Sequence, residues 1–570
     1  MLNNPSNPLI IQGDRSILLD VHTPRAEEAR NALIPFAELE KSPEHLHTYR
    51  VTPLSLWNAA SAGFSPLRIA EVLDDLARFP LPQPVRTWIV ETMSRFGRLT
   101  MIPSEDPDVL YLVTATEMIF REIAASRQMS KYLVPEPSIP LRFRLSVINR
   151  GTIKQELLRL GWPVKDEAPL KEGEPLSLSL RSACVSGKPL VIRDYQKNAA
   201  RALVGDKGPG TGFGTIVLPC GSGKTVVGME VMTLLQTSTL ILTTNIAAVH
   251  QWRDELLDKT SLTREEIGEY SGDLKEIRPV TIATYQILTW RPNKEEDFPH
   301  FRIFRSRAWG LIIYDEVHLL PAPVFRVTAE IQTVRRVGLT ATLVREDGCE
   351  GDVFSLVGPK RYDVPWKELE GQGWIATASC TEFRVDMDSE RELSYAVAGQ
   401  REKYRIASEN PAKIPAVIAL LEKHREDSIL IIGQYIKQLE TIARATGAPL
   451  ITGKTPNTER DRIYGDFRSG KIKTLVVSKV ANFAIDLPDA SVAIQISGTF
   501  GSRQEEAQRL GRILRPKEKD SHFYTIVTSR TVEEDFAANR QKFLAEQGYE
   551  YSIQRWDGKS LPAPEDEICG

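Results

Sequence analysis

Two blocks of apolar, β-branched segments alternate with amphipathic helical segments over the last two thirds of this 570-residue chain. The first block reads TIVLP, TLILTT, PVTIATY, GLIIYDE and RRVGLTAT, and the second reads DSILIIGQY, KTLVVSK, SVAIQIS and HFYTIVT. Strands that are apolar on both faces are typical of parallel sheets covered by helices on each side. The pattern therefore predicts an α/β fold with two parallel-sheet units in series, from about Val191 onward.

Composition fits a folded protein, because 42% hydrophobic and 26% charged residues are ordinary globular values. No window approaches 18 consecutive apolar residues, and the first residues lack a basic stretch followed by an apolar one. We therefore expect a cytoplasmic protein with no membrane association. The five cysteines form no CxxC pair, which argues against a zinc ribbon or an iron–sulfur cluster. Because the net charge is only -3, contact with nucleic acid requires a local basic surface.

The chain before these sheet units reads as a small mixed α/β region. Thr52 and Pro53, followed by an apolar face of helical period, predict a helix start, and the run from Asp108 to Ala115 predicts a strand. The proline-rich KYLVPEPSIPLRF is the best linker candidate. We predict an N-terminal domain at 1–134, a linker with a small segment at 135–187, and the two sheet units at 188–365 and 366–570.

The strongest local motif is TIVLPCGSGKTVVGMEV, in which an apolar strand runs into a glycine turn and a helix that begins near Lys224. Gly221 and Gly223 allow backbone N–H groups to wrap phosphates, and the following helix dipole favours an anion. Lys224 is then expected to reach the terminal phosphates and Thr225 to hold Mg²⁺. The general pattern is not fully met, because a strict G-x-x-x-x-G-K-T has glycine where this chain has Leu218.

Paired carboxylates end the apolar strand GLIIYDEVH at Asp315 and Glu316. Mg²⁺ takes one or two carboxylates with phosphate oxygens, and a second carboxylate can orient or deprotonate an attacking water. Such a pair alone is often a solvated strand end. In order after Lys224, it predicts the second half of a nucleotide site.

Arginines recur at helical spacing in EEAQRLGRILRPK, within the second sheet unit. An arginine delivered from another domain can stabilise the charge that develops during phosphoryl transfer. Taken alone, arginines at this spacing most often form a solvated basic face of a helix.

With these motifs in order, the chain resembles superfamily 2 helicases, and within them the XPB type, the 3'-to-5' DNA repair translocase. The resemblance is carried by RDYQ, PCGSGKT, TTNIAAVHQW, TIATYQIL, DEVH, GLTATLVRED, SKVANFAIDLP and QRLGRILR. It implies two tandem RecA-like motor domains behind the N-terminal region. The chain has no long low-complexity tail and looks more like the compact prokaryotic form of the family.

The resemblance also implies a site for ATP and Mg²⁺. Its nucleotide-binding residues are Arg193, Gln196, Gly221, Ser222, Gly223, Lys224, Thr225 and Gln508, with Gln196 at the adenine. Thr225 and Asp315 hold the metal, and Lys224, Asp315, Glu316, Arg512 and Arg515 are the catalytic residues, with Glu316 activating water and the arginines at the γ-phosphate.

Duplex opening is the other activity that the resemblance implies. Arg345, Glu346 and Asp347 look like the family's R-E-D motif, and Thr340 and Thr342 would link hydrolysis to DNA movement. A thumb-like insertion is expected near 386–411, although its residues equally suit a pair of packing helices. The segment 135–187 sits where the family carries its damage-recognition domain.

The sequence thus predicts an ATP-dependent 3'-to-5' DNA helicase that opens duplex DNA in repair. Its expected partners are single-stranded and forked DNA, and a partner nuclease or repair factor. Two alternatives stay open at this point: a translocase on duplex DNA without strand separation, and a nucleotide-clamped DNA-binding scaffold that recruits a repair nuclease.

Overall fold

The computed structural model of the protein describes residues 4–33, 35–41, 45–207, 211–219, 221–272, 274–293, 298–331, 334–341, 350–364, 369, 378–478, 490–498, 521–546 and 551–556. Its contacts divide the chain into two compact units. The first comprises Met1–Glu38, Tyr49–Leu218 and Gly223–Val364, and the second comprises Leu39–Thr48, Pro219–Ser222 and Pro365–Gly570.

The strands of the described residues, in chain order, are β1 Leu9–Ile11, β2 Ser16–Asp20, β3 Glu38–Lys41, β4 Leu46–Arg50, β5 Leu99–Pro103, β6 Val109–Thr114, β7 Val134–Pro135, β8 Arg142–Ser146, β9 Val164–Asp166, β10 Phe213–Val217, β11 Thr239–Thr243, β12 Ile267–Tyr270, β13 Val280–Thr284, β14 Leu311–Asp315, β15 Arg335–Thr340, β16 Lys360–Asp363, β17 Ala378–Val385, β18 Ile429–Gly433, β19 Leu450–Ile451, β20 Thr474–Ser478, β21 Val492–Gln495, β22 Ser521–Thr528 and β23 Tyr551–Arg555.

The α-helices of the same residues are α1 Ala26–Leu33, α2 Pro53–Ser61, α3 Pro66–Leu76, α4 Gln83–Ser94, α5 Glu117–Ala125, α6 Arg150–Arg159, α7 Asp194–Val204, α8 Lys224–Leu235, α9 Ile246–Lys259, α10 Tyr285–Thr289, α11 Ala322–Glu330, α12 Glu350–Asp352, α13 Ser389–Val397, α14 Gln400–Ser408, α15 Lys413–Lys423, α16 Ile436–Thr446, α17 Asn457–Arg468 and α18 Val532–Glu546. In the part of the chain that the structure describes, no helix is long and apolar enough to cross a membrane.

Each of the two predicted sheet units is a seven-stranded parallel sheet. The sheet of the first unit has the order β12-β13-β11-β14-β15-β10-β16, and that of the second has β19-β20-β18-β21-β22-β17-β23. Every residue of β10, β11, β13 and β18 is buried, as expected for strands covered on both faces. The prediction of two RecA-like α/β domains in tandem is confirmed.

The region before the first parallel sheet is mixed, as predicted. Thr52 caps α2: its side chain accepts from the backbone N–H of Ser55, whose own hydroxyl accepts from the Thr52 N–H, and Pro53 is the first helical residue. The predicted strand near 108–115 is β6.

A five-stranded sheet with the order β7-β8-β6-β5-β9 follows the first helices. Most neighbouring strands within this sheet are antiparallel, but β9 runs parallel to β5. The sheet takes strands from both sides of the predicted boundary at 134, and the proline-rich segment connects β7 to β8 of this sheet. The four domain ranges stay predictions.

Helix α6 packs directly on the backbone of α11, because Gly151 offers no side chain at the contact. A Cβ atom at Gly151 would lie 2.5 Å from both the Cα and the carbonyl oxygen of Ala329. Backbone atoms cannot rotate away as a side chain can. This close approach fixes the five-stranded sheet region on the first parallel-sheet domain.

Replacing Gly151 by alanine should lower the free energy of unfolding by about 1–3 kcal/mol, the usual cost of an added methyl group in a packed interior. Thermal unfolding followed by circular dichroism measures the change. The matched control is Gly465→Ala in α17, where a Cβ would have nothing within 4 Å. That control should keep or raise the melting temperature, since alanine favours helix. Equal melting temperatures of the two variants would contradict the close contact between Gly151 and α11.

The predicted thumb-like insertion contains helices α13 and α14. Among the described residues of α13 none is buried, and Leu393 and Val397 are 69% and 81% exposed. The helix is attached along one side, because the Tyr395 hydroxyl accepts from the Val532 N–H at 2.8 Å. A helix pair is thus present, and its assignment as a thumb stays a prediction.

Candidate nucleotide-binding site

The predicted phosphate loop lies between β10 and α8. Gly221 and Gly223 both have φ of 80°, a left-handed conformation that residues with a side chain rarely adopt. The Ser222 hydroxyl donates to the Pro219 carbonyl at 2.6 Å, which closes the turn. Helix α8 begins at Lys224, the residue at which the sequence placed it.

Residues of the RDYQ segment lie beside this loop. A Cβ at Gly223 would approach the Gln196 side-chain nitrogen to 2.6 Å, so a larger residue there would displace the Gln196 side chain. The Gln196 amide oxygen accepts from the Arg193 backbone N–H at 2.9 Å, and the Arg193 guanidinium donates to the Tyr195 hydroxyl at 3.0 Å. The first of these bonds holds the buried Gln196 side chain at the first turn of α7.

The carboxylate pair ends β14, on the same sheet. Lys224 Nζ lies 3.5 Å from Glu316 Oε1, an ion pair of two largely buried side chains. Glu316 has φ of 48° and ψ of 56°, a left-handed conformation unusual for a residue with a side chain. Strain of this kind is often found at functional sites, where the surrounding structure imposes it.

Burial raises the pKa of both carboxyl groups, but neighbouring charges give the two groups opposite net shifts. Burial, followed by the charge of Glu316, raises the pKa of Asp315 above its usual range. Burial alone would also raise the pKa of Glu316, but the charges of Lys224 and then His318 lower it, and the net shift of that pKa is downward. Glu316 is therefore ionised at neutral pH, as a group that accepts a proton from water must be.

Trp252 and Tyr285 position the strand end, and sequence reasoning did not assign either. The Trp252 indole N–H donates to Asp315 Oδ2 at 2.9 Å, and the Tyr285 hydroxyl donates to the Asp315 carbonyl at 2.9 Å. The Trp252 ring lies against Gly228, where a Cβ would come within 2.6 Å of it. The tryptophan ends the segment TTNIAAVHQW, which was the available signal.

Replacing Trp252 by phenylalanine removes the N–H and keeps an aromatic ring against Gly228. Groups that orient a metal ligand are usually worth about 10–100-fold in metal affinity or activity. We therefore expect the Mg²⁺ concentration for half-maximal ATP hydrolysis to rise about tenfold or more. The matched control is Trp290→Phe, because Trp290 is 52% exposed. An unchanged Mg²⁺ titration in Trp252→Phe would refute the positioning role.

His318 and Thr340 join the carboxylate motif to the next strand. His318 Nδ1 lies 2.6 Å from the Thr340 hydroxyl and 3.5 Å from Glu316 Oε2. The Thr340 carbonyl accepts from the Leu218 N–H at 2.9 Å. Thr340 therefore connects β15 to the end of β10, which leads into the phosphate loop.

The donor set at this end of the sheet suits Mg²⁺. Asp315 supplies a carboxylate that Trp252 and the Glu316 N–H orient, and Thr225 is the second residue of α8. Hard oxygen donors, few in number, are what Mg²⁺ takes from a protein when phosphates complete its shell. Asp315 and Thr225 are the residues that could hold it.

Several predicted site residues lie outside the described residues. These are Thr342, Arg345, Glu346 and Asp347 after β15, and Gln508, Arg512 and Arg515 between β21 and β22.

Three family models match the chain. ERCC3/RAD25/XPB C-terminal helicase covers residues 369–559, Type III restriction enzyme, res subunit, covers residues 189–345, and Helicase conserved C-terminal domain covers residues 9–137. The last of these matches lies in the N-terminal region, before both parallel sheets.

Curated relatives match over almost the whole chain. DNA 3'-5' helicase XPB of Mycobacterium tuberculosis is 49% identical over 561 residues, which are 98% of this chain and 99% of that protein. The protein of the same name from Kineococcus radiotolerans is 50% identical, over 96% of both chains. The general transcription and DNA repair factor IIH helicase/translocase subunit XPB of Encephalitozoon cuniculi is 32% identical, over 96% of this chain and 83% of that protein.

Proposed function

The chain belongs to the XPB family of superfamily 2 helicases and is an ATP-hydrolysing enzyme, and from this premise we propose that it is a 3'-to-5' DNA helicase that opens duplex DNA in repair. The observation that carries the proposal is the ion pair between Lys224 and Glu316, beside Asp315, at one end of the first parallel sheet. It unites a phosphate-binding lysine with an ionised carboxylate suited to activate water. The relatives named DNA 3'-5' helicase XPB support the 3'-to-5' direction of movement.

The chemistry follows from the residues of the loop and the strand end. The N–H groups at the start of α8 and the Lys224 ammonium bind the phosphates of ATP. Glu316 accepts a proton as water attacks the γ-phosphorus, and the bond to the β-phosphate oxygen breaks. Mg²⁺, held by Asp315 and Thr225, would supply positive charge to the phosphate oxygens. Arg193 and Gln196 would contact the base side of the nucleotide.

Movement on DNA would depend on coupling between hydrolysis and other segments. The bond of His318 to Thr340 gives the carboxylate motif one route to the segment after β15, where Thr342 and the R-E-D residues Arg345, Glu346 and Asp347 follow. Gln508, Arg512 and Arg515 would sense the γ-phosphate from the second domain. The residues near 386–411 would act as the thumb, beside the strands being separated.

The proposed substrate is DNA, and a protein partner and a location are proposed with it. The enzyme binds single-stranded and forked DNA, mostly through phosphates, so affinity should fall steeply with salt. A nuclease or another repair factor is the proposed protein partner, and the proposed location is the cytoplasm.

The test combines ATP hydrolysis with strand displacement. Wild-type protein and Glu316→Gln are assayed without nucleic acid and with single-stranded or forked DNA, and a labelled strand is displaced from duplexes with a 3' or a 5' tail. We expect DNA-stimulated hydrolysis and displacement from the 3' tail only, both lost in Glu316→Gln. Stimulated hydrolysis without displacement would favour a duplex translocase, and no hydrolysis under any condition would favour a scaffold.

A further inference from the structure

A cavity of about 200 Å³ lies beside α6, away from the nucleotide loop. Its walls come from the end of α2, from α6 with β9, and from β10 and β16 of the first parallel sheet. It therefore sits where three parts of the first unit meet, a common place for small-molecule sites. The volume exceeds the space that one water needs by about tenfold.

Positive charge predominates in the walls. Lys154, Lys165 and Arg361 line the cavity, and Asp166 is the one carboxylate among its described lining residues. Lys165 also pairs with Glu167 at the partly exposed rim, 2.6 Å away. A ligand with negative charge is thus favoured by the wall.

Asp166 is already fully engaged as an acceptor. It accepts from Arg150 Nε at 3.0 Å and Nη2 at 2.8 Å, from Lys154 Nζ at 2.9 Å, and from the Ala168 N–H at 3.3 Å. Four donors exhaust the lone pairs that a carboxylate offers. A ligand that enters the cavity finds no acceptor here for a donor group of its own.

Lys154 is the group that a ligand would meet. Its side chain is only 6% exposed, and one of its three N–H donors goes to Asp166. Burial lowers its pKa to about 7, although Asp166 opposes the shift. The buried Arg336 and Arg150 also lie near Lys154, and their charges lower the Lys154 pKa further. A buried ammonium with donors to spare and excess positive charge around it is costly unless an anion is supplied.

We propose that the cavity binds a small oxyanion of the phosphate class, held by the Lys154 ammonium with Arg361 and Lys165 in the surrounding wall. We expect the dianion to bind, because Lys154, Lys165 and Arg361 place positive charge in the cavity wall. The phosphates of a DNA backbone do not fit, because Lys154 is almost completely buried and a polymer cannot enter. The ligand is therefore free phosphate or pyrophosphate.

Anion binding should be linked to proton uptake by Lys154. The charged groups that face it are Asp166 and Lys165 on β9, Arg150 on its own helix, Arg336 on β15 and Arg361 on β16. At pH 8 most Lys154 side chains are neutral, and an anion that stabilises the charged form must bring in a proton. At pH 6 the lysine is already charged and inorganic phosphate is mostly the monoanion, so binding of the dianion should release protons instead of taking them up.

The experiment is isothermal titration calorimetry of the full chain with inorganic phosphate, in buffers of different ionisation enthalpy at pH 6 and pH 8. A Lys224→Ala background removes phosphate binding at the nucleotide loop. We expect one phosphate per chain, with net proton uptake at pH 8 and none at pH 6. A second titration uses pyrophosphate in place of phosphate. Competition by a double-stranded oligonucleotide for this site would overturn the assignment to a free anion.

Lys154→Met, added to that background, should raise the Kd for phosphate at least about tenfold, the size expected for a charge-assisted hydrogen bond. The matched control is Lys188→Met, because Lys188 is exposed and lies outside the cavity walls. Phosphate binding that Lys154→Met leaves unchanged, or the absence of binding in the folded parent, would overturn the proposal. If Lys154→Met fails to fold, the parent at pH 8 decides, because phosphate is already mostly the dianion there: binding without net proton uptake at pH 8 overturns the proposal.

Discussion

Glu316→Gln should lower ATP hydrolysis by about two orders of magnitude or more, the usual contribution of a positioned general base. The glutamine keeps the shape of the side chain and cannot accept a proton. Lys224 stays in place to bind phosphates, so ATP binding should persist. Steady-state hydrolysis, with equilibrium binding of a fluorescent ATP analogue, measures the two effects separately.

The control for this variant is Glu265→Gln, an exposed carboxylate in the same domain. It should hydrolyse ATP at the wild-type rate. Hydrolysis in Glu316→Gln within a factor of about three of wild type would show that another group activates the water.

Lys224→Ala should weaken ATP binding at least about tenfold and lower hydrolysis below roughly a tenth of the wild-type rate, because charge-assisted hydrogen bonds to phosphate are among the stronger polar contacts. Unlike Glu316→Gln, it removes binding as well as chemistry. Comparison of KM and kcat separates the two variants. Exposed Lys188 gives the matched control, Lys188→Ala.

Lys224→Ala should also change the pH dependence of the residual activity. Lys224 lowers the pKa of Glu316 against the effect of burial, so without the ammonium that pKa should rise. The base acts only when ionised, and the acid limb of the pH–rate profile should therefore move to higher pH. A limb at the wild-type position would mean that Glu316 is not the titrating base.

The local elements of the site could be predicted from sequence. A helix beginning at Lys224 follows from the glycine turn, and the carboxylates at Asp315 and Glu316 follow from the end of an apolar strand. The prediction joined the two motifs by their order along the chain, and in the structure they meet because parallel strands place their carboxyl ends at one edge.

Contacts between distant segments were not predictable in the same way. Trp252 and Asp315 are 63 residues apart, and nothing in either segment encodes the hydrogen bond between them. The five-stranded sheet was not predictable for the same reason. Composition indicated a linker near residue 134, but strand pairing depends on partner strands elsewhere in the chain.

The sequence by itself determined the two parallel-sheet domains, the phosphate loop and the carboxylate pair, because these depend on periodicity and spacing within a few residues. Only the tertiary structure decided the Lys224–Glu316 ion pair, the orientation of Asp315 by Trp252, and the buried charges around Lys154. These depend on which surfaces pack and on how far water is excluded, and such effects combine residues that are far apart in the chain.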